Sequence, residues 1–183
     1  MYARIWLAAT AVLLTTGCGA EQGTPVALPE AAPVRVAAVA ASSGGACKLL
    51  DFTVIAKHTG GRFDVAAASD RGDTHTCVVR SASATWPELA LAVTDTSIDV
   101  PTFTADVRPD GAATVPKLGQ VAYRRTLPKA GTHGPVAEVG WLAAEDRLAT
   151  LRWTLRPTAA KAEADAQAGK LVVLARTLNT RAM

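Results

Sequence analysis

The segment Ala149-Thr150-Leu151-Arg152-Trp153-Thr154-Leu155 alternates apolar and polar residues without a break. Successive strand side chains point to opposite faces, so this spacing predicts a strand with one buried and one wet face. Such strands pair antiparallel far more often than they enter parallel sheets, which are buried on both sides. Weaker versions recur upstream: Phe63, Val65 and Ala67; Cys77 and Val79 within 74–80; Leu89, Leu91 and Val93; Phe103, Ala105 and Val107; Val121 and Tyr123; Val139 and Trp141. The turn 144–146 is placed to join the last two strands as a hairpin.

Helical signals bracket these strands. Asp51 is placed to cap a short helix carrying Phe52, Ile55 and Ala56, and Gly60-Gly61 to end it. Beyond Pro157, Thr158 reads as the cap of a helix over 159–178. There Leu171, Leu174, Ala175 and Leu178 share one face, and Gly169 is a weak point. The expected fold class is α+β: an antiparallel sheet covered by a short N-terminal and a long C-terminal helix, with one disulfide.

The first eighteen residues carry an address. Arg4 precedes ten nearly all apolar residues, 5–14, followed by Thr15, Thr16, Gly17 and Cys18. Ten helical residues rise about 15 Å, half of a roughly 30 Å hydrocarbon core, so the run suits a secretory signal and not a stable span. A signal ending in small residues before a cysteine resembles the bacterial lipobox. Thr15 stands where leucine is usual, and a simple secretory peptide cut elsewhere is the rival reading. The resemblance implies removal of 1–17, diacylglycerol on Cys18, and anchoring of the mature chain to the outer leaflet of the plasma membrane. Two or three chains on one cysteine hold stably where one does not.

With Cys18 set aside, Cys47 and Cys77 remain. In an oxidising compartment they allow one internal disulfide. The rival, a metal site, has a poor ligand set in two thiols about 30 residues apart without a CxxC. Residues 18–45 read as the anchored cysteine and a tether. Of the 27 residues at 19–45, 17 are Ala, Gly, Pro or Ser, and a flexible coil of that length spans about 30 Å. Within it, 34–39 reads either as tether or as a strand joining the sheet. One globular domain is expected over 46–183.

Chemistry is harder to read. The net charge of +3 is too small for a nucleic-acid footprint. GxSxG, HExxH, GxxxxGK and CxxC are absent. No catalytic residue, metal ligand or cofactor is assigned, and His58, His75 and His133 read as single exposed histidines. Arg71-Gly72-Asp73 matches a cell-adhesion tripeptide and sits where a turn is expected; Gly and Asp are also ordinary turn residues. Three residues are candidates for a binding surface: Trp86 beside Pro87, and Arg124 with Arg125, a short basic run suited to anionic envelope lipid or polymer. Trp141 and Trp153 read as core.

The chain also resembles a family of actinobacterial cell-envelope lipoproteins defined only as a domain of unknown function. The residues carrying the likeness are Cys47-Lys48-Leu49-Leu50, Gly60 or Gly61, Cys77, and Val115-Pro116-Lys117-Leu118-Gly119-Gln120-Val121-Ala122-Tyr123. It implies a small α+β domain on a lipid anchor and transfers no catalytic residue. The function expected is that of a non-enzymatic accessory module binding an envelope protein, glycan or lipid. The alternative is a carrier of a lipid or small hydrophobic molecule in a pocket between sheet and helix.

Overall fold

The structure is a computed structural model that describes residues 40–143 and 146–180. Cys18, residues 34–39 and part of the 144–146 turn lie outside the described residues. The body is α+β: a seven-stranded antiparallel sheet in the order β1-β2-β3-β7-β6-β5-β4, with the first and the last helix against one face. The strands are β1 (Val65–Arg71), β2 (Thr74–Ser81), β3 (Ala84–Asp95), β4 (Ala113–Thr114), β5 (Val121–Leu127), β6 (Val136–Ala143) and β7 (Arg147–Thr154). The helices are α1 (Phe52–Thr59), α2 (Val100–Thr102) and α3 (Lys161–Ala175).

Register puts the predicted apolar residues in rows across the sheet. Cys77, Leu91, Leu151 and Val139 are successive partners, as are Val79, Leu89, Trp153 and Ala137. All eight are buried, and α1 and α3 close over them. Leu171, Leu174 and Ala175 supply the facing stripe of α3, and Trp141 and Trp153 are core residues as expected. Cys47 and Cys77 are joined as a disulfide. It ties the 3-10 turn Gly45–Leu49 to β2 beneath the same layer.

Asp51 caps α1 as expected: Oδ1 accepts from the amides of Thr53 at 2.7 Å and Val54 at 2.9 Å. Gly60, at φ +80°, ends it in the left-handed conformation that glycine adopts without steric cost.

Several expectations are corrected. The segment 103–107 is not a strand: α2 and a π-helical turn, Phe103–Val107, occupy it. Asp99 Oδ1 accepts from the Thr102 amide at 2.9 Å, and Pro101 presets a helical φ in the first turn. This segment brings Phe103 against Tyr123 and Leu142 on the second face of the sheet. That face is therefore not wholly wet, and every residue of β6 is buried. In β1 the alternation runs opposite to the reading: Val65 is 46% exposed, while Ala66 and Ala68 pack on the core. Thr158 does not cap α3; the helix starts at Lys161, and Glu163 Oε1 accepts from the Ala160 amide at 3.0 Å. The packed body reaches back past the expected start at Ala46. Ala40 is buried, and Ser43 Oγ donates to the Ala66 carbonyl at 2.9 Å.

Candidate functional site

A cleft of about 560 Å³ opens where the end of α1, the start of β3, the end of β7 and α3 meet. The Gly60-Gly61 pair builds one wall. A Cβ on Gly61 would stand 2.1 Å from Trp153 Cη2, so only glycine lets the indole lie against the end of α1. Phe63 meets the same ring edge-on at 5.2 Å. Trp86, Pro87 and Leu155 add apolar lining. Trp86 is half-buried, its ring centroid 6.3 Å from that of His133.

The charged lining is mostly basic: Arg62, Arg156 and Lys170 against Glu163. Arg156 Nη2 lies 3.4 Å from Glu163 Oε2 at the exposed rim. Lys170 Nζ donates to the Thr59 carbonyl at 3.3 Å, tying α3 to the end of α1. Two buried donors among the lining residues, Trp153 Nε1 and Gln167 Nε2, have no acceptor among the described residues. Buried donors are nearly always paired, so each marks a place where an acceptor is energetically wanted.

The sequence candidates do not come together. Trp86 lines this cleft, whereas Arg124 and Arg125 line a separate hollow of about 410 Å³ beside β5 and α3, with no residue in common. The two arginines also part company, because consecutive strand residues point to opposite faces. Arg124 lies on the helix side, where a Cβ on Gly169 would come 3.9 Å from its Nη1. Arg125 lies on the other face with Tyr123 and is committed to Glu138. In the hollow, Thr126 Oγ1 donates to Asp165 Oδ1 at 2.6 Å, and Lys161 Nζ donates to the same carboxylate at 2.9 Å. The Thr126 hydroxyl first, then Lys161, hold the Asp165 carboxyl below its ordinary range.

Sequence reasoning missed Glu138, whose carboxylate is buried within β6. Its Oε1 accepts from Arg125 Nε at 2.7 Å and from the Tyr123 hydroxyl at 3.0 Å, and its Oε2 lies 3.2 Å from Arg152 Nε. Register sets this up, since Arg125, Glu138 and Arg152 are successive cross-strand partners. The available signal was one carboxylate inside the apolar run Val136–Ala143.

Burial, reinforced by the adjacent Glu138 carboxylate, pushes the Tyr123 phenol far above its ordinary range. An unfolded tyrosine loses its proton near pH 10. The folded phenol holds it longer, so its contribution to stability is complete below about pH 10 and is lost as pH rises beyond. With Tyr2→Phe removing the other tyrosine, absorbance at 295 nm is expected to show no ionisation until the chain unfolds. A reversible titration near pH 10 in the folded protein would contradict the burial of this phenol.

The Arg71-Gly72-Asp73 tripeptide falls in the exposed β1–β2 turn, as expected. Among the described residues no group of three or more His, Cys, Asp or Glu is placed to hold a metal ion, and no helix is long and apolar enough to cross a membrane. The chain matches no protein-family model, and neither a curated protein nor a solved structure matches it.

Proposed function

We propose that this protein is a lipid-anchored, non-enzymatic binding module on the outer face of the plasma membrane, fastened through Cys18, whose domain holds an envelope component in the α1–β7–α3 cleft. The observation that carries the reading is the cleft itself. Its volume falls within the roughly 300–1,000 Å³ of small-molecule sites, and its wall combines tryptophans with a few polar groups. The lipobox-like signal and the actinobacterial lipoprotein resemblance support the location. The disulfide supports it too, since such bonds persist in oxidising compartments.

A carrier of a lipid or small hydrophobic molecule is the second reading, favoured by the position of the cleft between sheet and helix. The two differ in whether the bound molecule leaves the membrane with the protein. Cells fed radiolabelled palmitate are expected to label the wild-type chain in the membrane fraction, and Cys18→Ser is expected to abolish both label and retention. Retention of an unlabelled, processed Cys18→Ser chain would refute the anchor. Mass spectrometry of small molecules co-purifying with the chain is expected to find one that Trp86→Ala no longer retains. Equal recovery from both proteins would refute the cleft.

A further inference from the structure

Taking the cleft as the ligand site, we infer that its occupant is a small amphiphile with an anionic, acceptor-only head, a carboxylate or a phosphate, on a single apolar body. The residues of the wall carry two unmatched buried donors and an excess of positive charge. Trp153 Nε1 and Gln167 Nε2 are both donors, and neither has an acceptor among the described residues. An indole nitrogen can only donate, so its partner must present a lone pair. The same cleft is lined by three cations and one carboxylate. Glu163 faces Arg156 at the rim, which leaves Arg62 without any hydrogen bond or ion pair among the described residues and Lys170 with one long bond to a carbonyl.

A neutral ligand could answer a donor with a hydroxyl or carbonyl oxygen but would leave the positive charge of the lining unbalanced, and a cationic one would add to it. A carboxylate or phosphate supplies several acceptor lone pairs and the missing negative charge together. Charge-assisted bonds of this kind are stronger than neutral ones. Trp86, Pro87, Leu155 and the indole of Trp153 offer the remaining wall to an apolar body, and burying one there is favourable in proportion to its area. The volume suits a single chain or ring system, not a free inorganic ion.

The test titrates the full chain carrying Cys18→Ser with decanoate, decyl phosphate, decanol and inorganic phosphate, reading tryptophan emission below the aggregation range of each amphiphile. Decanoate or decyl phosphate is expected to bind at least about tenfold more tightly than decanol and than inorganic phosphate. Whichever anion prevails separates a fatty-acid-like source from a phosphate-headed one. Arg62→Ala with Arg156→Ala, both exposed side chains, is expected to erase most of the anion's advantage over decanol. Equal binding of decanol and decanoate overturns the anionic head while leaving the cleft as a binding site. Inorganic phosphate binding as tightly as decyl phosphate overturns the amphiphile. Failure of all four ligands overturns the cleft itself.

Discussion

Replacing Arg125 and Arg152 together with alanine is expected to destabilise the fold by about 3 kcal/mol, the lower end of what breaking a buried ion pair costs. The physical reason is asymmetric exposure. The Glu138 side chain is 4% exposed, whereas Arg125 and Arg152 are 31% and 47% exposed. Removing the arginines strands a buried carboxylate with only the Tyr123 hydroxyl. Removing the carboxylate lets two surface cations return to water. The cost stays at the lower end because truncating both side chains opens a path for water. Adding Glu138→Leu to the double variant is expected to recover more than half of the loss, since a similar-sized apolar side chain needs no partner. Urea denaturation measures both variants. A double variant within about 1 kcal/mol of the parent, or a triple variant no more stable than the double, would refute the account.

Cys47→Ala with Cys77→Ala is expected to cost about 3.5 kcal/mol, from the entropy returned to an unfolded chain freed of a loop with sequence separation 30. Both cysteines are completely buried, so the deleted sulfurs also leave unfilled core and add to that figure. The bond holds the 3-10 turn Gly45–Leu49 against β2. Its loss is therefore expected to expose the amino-terminal edge of the core to protease before the sheet. Denaturation with and without reductant checks the wild-type chain, and reductant is expected to have no effect on the double variant. A change below about 1 kcal/mol would contradict a bridge that constrains the unfolded state.

These two sites differ in how far they could be read in advance. The disulfide followed from counting, because with Cys18 set aside two cysteines have one internal pairing open to them. The ion cluster did not, because Glu138 acquires its arginines from β5 and β7 through register. Strand spacing put Leu89, Leu91 and Val93 in the core, and likewise Ala149, Leu151 and Trp153, because one buried face imposes a period of two. The same rule failed at Phe103, Ala105 and Val107. There a local competitor, the Asp99 cap followed by Pro101, won the backbone for a helical turn. It failed in part at Val121 and Tyr123, whose alternation was correct but whose buried side was the second face, covered by that same turn.

The cleft was half legible. Trp86 stood out because an aromatic next to proline near a strand start is placed to be accessible, and it does line the cleft. Its companions come from α1, β7 and α3, elements up to about 100 residues apart, and no spacing rule connects them. Trp153 read correctly as core, but the unanswered donor on its indole nitrogen exists only because the surrounding fold provides no acceptor.

Local chemistry written along the chain was enough for the α1 cap, the alternating strands, the apolar stripe of α3 and the cysteine pair, since each depends on neighbours a few residues away or on a simple count. The order of the strands, the second covered face, the neutralisation of Glu138 and the basic, tryptophan-lined cleft came from packing. They depend on which distant residues meet as Trp141, Trp153 and the whole of β6 are buried together.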